Sequence, residues 1–129
     1  MEYFDVLDSR GNPTGQQKLR SEVHRDGDWH KAAHIWILNS EDELLIQKRA
    51  PNKESHPNLW DTSAAGHVPA GDDATTSAIR EVEEELGVKL EKKDFEHLFT
   101  VTQQQILHDG AYINNEFNEV YLVRRDLNL

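Results

Sequence analysis

The stretch Gly66–Val88, GHVPAGDDATTSAIREVEEELGV, decides how this chain is read. Its second half has the spacing of an amphipathic helix. At about 100° per residue, Ala78, Ile79, Val82 and Leu86 fall on one stripe, which predicts the face that packs on a core. Asp73 stands where an N-cap belongs and Gly87 where a left-handed C-cap belongs, so a helix is expected over Ala74–Leu86. Glu81, Glu84 and Glu85 share a neighbouring face at i, i+3 and i+4, while Glu83 points away toward solvent.

Like charges at that spacing repel by roughly 0.2–0.5 kcal/mol per pair. They also crowd toward the helix C-terminus, where the dipole disfavours anions. Helix stability alone does not select this pattern. A divalent cation would, because carboxylate oxygens are hard ligands suited to Mg²⁺ or Mn²⁺. A solvated acidic face is the plain alternative.

The rest of the chain reads as mixed α and β. Tyr3–Leu7 reads as a short strand before the turn DSRGNPTG, His34–Leu38 as a buried strand, and Leu44–Arg49 as its hairpin partner. Residues 50–60, with two prolines, read as a loop, and residues 61–72 as a tight path of small residues. FEHLFTVTQQQIL and YINNEFNEVYLV read as two later strands around the turn HDGA.

At 129 residues, with 36% hydrophobic and 29% charged positions, the chain suits one domain over residues 1–129. The absence of cysteine excludes disulfides, thiolate nucleophiles and zinc–thiolate sites. No apolar run is long enough for a membrane span, and MEYFDVLD lacks the layout of a signal peptide, so a cytoplasmic location is expected. A net charge of −10 argues against a nucleic-acid duplex and leaves a small anionic molecule, held by a metal or a few local cations.

The segment Gly66–Val88 resembles the Nudix box, a glycine, five residues, a glutamate, seven residues, then R-E-U-x-E-E-x-G-U with U a bulky aliphatic. Gly66, Arg80, Glu81, Val82, Glu84, Glu85, Gly87 and Val88 all fit, and Asp72 stands where the family has glutamate. The resemblance implies an α/β/α sandwich around a mixed sheet. It also implies a Mg²⁺- or Mn²⁺-dependent hydrolase that cleaves a phosphoanhydride in a nucleoside diphosphate derivative or similar small molecule. Carried over, Glu81, Glu84 and Glu85 are metal ligands with the carbonyl of Gly66, and Arg80 orients the carboxylates. Glu81 is alternatively the base.

The resemblance extends to the branch that includes isopentenyl-diphosphate isomerase, through EVHRDGDWHKAAHIWILN, LLIQKRAPNK, NLWDTSAAGHV and NNEFNEVYLV. It implies that Arg49 and Lys53 hold the substrate diphosphate. It also implies that His24, His30 and His67 are histidine metal ligands and that Glu119 is a downstream ligand or base, with Glu116 its rival. Phe117 occupies the place of a second isomerase glutamate. Ala65 stands where the isomerase has a cysteine, and an alanine moves no proton, so hydrolysis is favoured over isomerisation. Trp60 reads as a packing residue, and Tyr112 and Phe117 as pocket candidates.

Relatives of this branch continue beyond a segment like YLVRRDLNL into another strand and a helix. The resemblance therefore implies that part of the usual C-terminal segment is missing. An apolar sheet face left bare would favour a homodimer. The rival readings are an isopentenyl-diphosphate isomerase and a non-catalytic nucleotide-binding module.

Overall fold

Strand β3 (Trp29–Leu38) organises the molecule. The computed structural model describes residues 2–48 and 60–127, with the backbone alone at Lys48, Trp60 and Asp61. Successive residues of a strand point to opposite faces, and β3 is buried on both: Ala33, Ile35 and Ile37 on one, His30 and Ala32 on the other. One edge of β3 runs parallel to β9 (Tyr112–Arg124), from Trp29 opposite Asn115 to Leu38 opposite Arg124. Its other edge is shared end to end by three antiparallel strands. These are β1 (Tyr3–Leu7) at Trp29, β7 (Ala64–His67) along Ala32–Ile35, and β4 (Leu44–Leu45) at Ile37 and Leu38. With β2 (Pro13–Leu19) outside β1 and β8 (Glu96–Leu107) outside β9, the mixed sheet has seven strands. Two short strands, β5 (Gln47–Lys48) and β6 (Trp60–Asp61), pair separately.

Helix α2 (Ala74–Leu86) closes one face of the sheet. Ala74, Ala78 and Val82 pack on Ala33, Ile35, Ile37, Tyr121 and Val123, with Leu86 partly buried against the same core. Ile79, expected on this stripe, is only half-buried. The Asp73 carboxylate accepts from the Thr76 N–H, and Gly87 ends the helix at φ 71°, as the capping pattern predicts. The opposite face carries a shorter helix, α1 (Arg20–Asp26), whose Val23 packs on Phe4 and Val6. The arrangement is the expected α/β/α sandwich.

Three features differ from the sequence expectation. Residues 13–19 form a strand and 20–26 a helix, although PTGQQKL has no apolar alternation and α1 buries only Val23 and His24. The expected strand Leu44–Arg49 is broken at Ile46, and its halves belong to different sheets. Residues 64–67 form a full strand, paired with β3 and packed by α2; its first three residues are small, and a side chain at Gly66 would collide with Glu81. At the far edge, β8 exposes Leu98, Phe99, Val101 and Ile106 and carries a bulge between His97 and Phe99. No helix among the described residues is long and apolar enough to cross a membrane.

Candidate active site

Gly66 and His67 are successive residues of β7, so the strand presents them to opposite faces. Each anchors a cluster of chemically active side chains. On the α2 face, Gly66 lies under Glu81: a methyl built on its Cα would stand 2.5 Å from Glu81 Oε1 and 2.7 Å from Cγ. Only the missing side chain lets the carboxylate reach the strand backbone.

Arg80 ties three carboxylates together. Its Nη2 lies 3.3 Å from Glu81 Oε1, its Nη1 3.3 Å from Asp72 Oδ2, and its Nε 3.8 Å from Glu84 Oε1. The aspartate at position 72 thus reaches the arginine despite its shorter chain. Glu85 is held elsewhere: Oε1 accepts from the Ala65 N–H at 3.0 Å and Oε2 from Gln47 Nε2 at 3.1 Å. Glu83 faces away, 3.9 Å from Lys89. Burial raises the pKa of Glu81, and the charges of Glu85 and Glu84 add to it, against the opposing hydrogen bond from Arg80. The carboxylates are a hard-oxygen donor set over a cradle that a Cβ would fill, which fits a divalent cation.

Glu119 lies on the same face. Gly66, Ala33 and Glu119 form one row across β7, β3 and β9. Two strand spacings put Glu119 about 10 Å from Gly66, with the alanine methyl between them. Its carboxylate accepts from Thr100 and lies 3.2 Å from His97 Nε2.

The other face holds the histidines. The ring nitrogens of His24, His30 and His67 lie within 4.8 Å of one another, the group of metal-ligating side chains drawn together among the described residues. His24 comes from α1, His30 from β3 and His67 from β7. Glu116, paired in register with His30, completes the group: its Oε2 is 3.1 Å from His67 Nε2 and 3.6 Å from His30 Nε2. His30 Nδ1 lies 3.1 Å from the Asp28 carbonyl, which can only accept, so Nδ1 carries the proton. That hydrogen bond turns the unpartnered Nε2 into the cluster. The buried Nε2 atoms of both His24 and His30 have no hydrogen-bond partner. Burial, reinforced by His30 and His67, lowers the pKa of His24 to about 4, which keeps it neutral at pH 7. Burial alone would raise the Glu116 pKa, but the close contact with His67, 3.1 Å away, opposes it, and the carboxyl is held well below the usual range. Bare imidazole nitrogens beside an ionised carboxylate fit a cation of intermediate softness.

The structure thus brings His24, His30 and His67 together, seats Glu81 on Gly66, and leaves Glu84 and Glu85 more exposed on separate partners. It puts Glu119 and the histidines on opposite faces of the sheet. Arg49 and Lys53 lie outside the described residues, as does the Trp60 side chain. Tyr112 stacks on His24 at 4.3 Å between ring centres, and Phe117 packs on Trp29 at 4.9 Å. Sequence reasoning left Glu116 as a mere rival. The alternation Asn114, Glu116, Asn118, all buried, is the signal that assigns it to the histidine face.

Comparison with known proteins identifies the family and the fold. The NUDIX domain model matches residues 28–128. Nudix hydrolase 3 of Arabidopsis thaliana is 54% identical over 123 residues, 95% of this chain and 16% of that protein. Isopentenyl-diphosphate Delta-isomerase of Pectobacterium atrosepticum is 31% identical over 116 residues, 90% of this chain and 62% of that protein. The chain spans less than two thirds of either relative. Among solved structures, DR0079 from Deinococcus radiodurans superposes with a TM-score of 0.76 at 25% identity, covering 98% of this chain and 74% of that one.

Proposed function

The chain belongs to the NUDIX domain family, and from that premise we propose that it is a Mg²⁺- or Mn²⁺-dependent hydrolase of a phosphoanhydride bond in a small diphosphate compound such as a nucleoside diphosphate derivative. The observation that carries the proposal is the Glu81 carboxylate seated on Gly66 and tied through Arg80 to Glu84 and Asp72. Glu81, Glu84 and Glu85, with the Gly66 carbonyl, are the proposed ligands. When bound there, a divalent cation supplies polarisation of phosphate oxygens and acidification of a water. Arg80 holds the carboxylates in place by charge-assisted contacts. Glu119, on the same face and about 10 Å along the row from Gly66, is the proposed base, and Glu81 is the alternative. Arg49 and Lys53 are proposed to hold the diphosphate.

His24, His30, His67 and Glu116 are proposed as a second cation site, supported by the two orphan Nε2 atoms. The relation to isopentenyl-diphosphate isomerase favours that second site. Isomerisation itself is disfavoured by Ala65, whose position offers no proton-transfer group and whose N–H is occupied by Glu85.

The test is release of phosphate or nucleotide from a panel of nucleoside diphosphate derivatives and other diphosphates, with and without Mg²⁺ or Mn²⁺. Glu84→Gln and Glu85→Gln are each expected to lower turnover about 100-fold. Metal-independent turnover, or full activity in both variants, rejects the proposal. Binding of a nucleotide without any turnover points to a non-catalytic module instead.

A further inference from the structure

Two of the three histidines sit at the ends of one short connection, His24–Arg25–Asp26–Gly27–Asp28–Trp29–His30, and their spacing depends on how that connection is held. Gly27 turns it at φ 75°. Asn115 of β9 donates to the Gly27 carbonyl at 2.8 Å, and the Ile113 side chain fills the space where a Gly27 side chain would go. On the opposite side, Lys18 of β2 extends its ammonium between two carboxylates, 2.7 Å from Asp26 and 2.5 Å from Asp28, with its side chain only 17% exposed.

We infer that Lys18 is a positioning residue for the histidine cluster, acting through Asp28. The two carboxylates depend on it unequally. Asp26 is also gripped by Arg25, at 2.7 Å from Nε, whereas among the described residues the ion pair that holds the Asp28 carboxylate is the one with Lys18. The carbonyl of the same Asp28 receives the Nδ1 proton of His30 and so turns the bare Nε2 toward His24, His67 and Glu116. Lys18 therefore sets which nitrogen of His30 faces the cluster without touching the ring. Partners that fix the tautomer of a metal-binding imidazole typically change affinity by about 10–100-fold when removed. The inference rests on the reading of the histidines as a second cation site, yet its first consequence, the His30 tautomer, exists without any metal.

The experiment compares wild type, Lys18→Met and Lys18→Arg by two readouts. The first is the ¹⁵N resonances of the histidine rings in metal-free protein. The second is Co²⁺ titration followed by its visible spectrum. Wild type is expected to show His30 protonated at Nδ1. Lys18→Met is expected to mix the two tautomers and weaken Co²⁺ binding by about tenfold or more, and Lys18→Arg to restore both. If Lys18→Met does not fold, Asp28→Asn takes its place, with the same two shifts expected. A variant that keeps the wild-type tautomer, with Co²⁺ affinity within about twofold of wild type, overturns the inference. Wild type that binds no Co²⁺ rejects the second cation site instead, while the tautomer comparison still decides the role of Lys18.

Discussion

The Glu81 carboxylate rests on the Cα of Gly66, so close that a Gly66 side chain would stand 2.5 Å from Oε1. A strand residue thereby sets the position of a helix carboxylate. The colliding atoms belong to the end of a flexible side chain, so Gly66→Ala displaces Glu81 rather than the sheet. Moving a reacting or ligating group by about 1 Å costs up to 100-fold in rate. Gly66→Ala is expected to lower kcat/KM by about 10–100-fold and to raise the Mg²⁺ concentration needed for half-activity. Circular dichroism should remain that of wild type. Unchanged kinetics in a folded Gly66→Ala protein would show that the contact has no functional weight.

Arg80 joins Asp72, Glu81 and Glu84 through three different nitrogens, which a single ammonium cannot do. Arg80→Lys is therefore expected to behave much like Arg80→Ala. Both should lose about tenfold or more in kcat/KM, with a right-shifted Mg²⁺ dependence. The side chain is 34% exposed, so its ion pairs contribute little to global stability. Thermal unfolding should move by no more than a few degrees. A Lys variant with wild-type kinetics would mean that charge alone, not the fork of donors, is what the site uses.

The elements that could be read in the sequence are those whose burial leaves a period. Helix α2 shows its apolar stripe and both caps, and β1, β8 and β9 appear as strands within a residue or so of their observed bounds. What could not be read is set by tertiary partners. Strand β2 carries TGQQK, which acquires its conformation from pairing with β1, not from its own pattern. The Glu81–Gly66 contact needs α2 laid against β7, and a local motif shows only that both residues are present. Whether Glu116 or Glu119 joins the histidines is a matter of strand phase, and one residue changes the face entirely. The resemblance left Glu119 and Glu116 as rivals, and the register of β9 against β3 places Glu116 on the histidine face.

The Asp73 cap makes the stability of α2 depend on pH with a definite sign. The carboxylate accepts the Thr76 N–H at 2.7 Å, and that backbone hydrogen bond, more than the distant Lys92, lowers its pKa. A folded-state pKa below the unfolded one stabilises the protein above the ordinary aspartate value, and the contribution is lost as pH falls through the depressed folded value. Asp73→Ala is expected to lower the thermal midpoint by a few degrees at pH 7. The gap to wild type should narrow as the pH drops below about 4. Midpoints measured from pH 7 down to pH 3 check this, and a gap that widens on acidification would contradict the assignment.

Glu116 and Glu119 lie three positions apart on β9 and face opposite sides of the sheet, and this separates their expected phenotypes. Glu116 is 6% exposed, between His67 and His30, so Glu116→Gln removes the carboxylate charge that lies beside those rings. It is expected to weaken Co²⁺ or Zn²⁺ binding at the histidines by about tenfold or more, while the Mg²⁺ dependence of hydrolysis stays near that of wild type. Glu119 shares the face of Glu81 and Gly66, across the small side chain of Ala33. Glu119→Gln is expected to leave Co²⁺ binding unchanged and, as loss of the proposed general base, to lower kcat by about 100–10,000-fold with little change in KM. Co²⁺ spectra and steady-state kinetics on the two variants test both halves. If Glu116→Gln lowers kcat as severely as Glu119→Gln, the two faces act as one site, and the sheet is not the partition that its register implies.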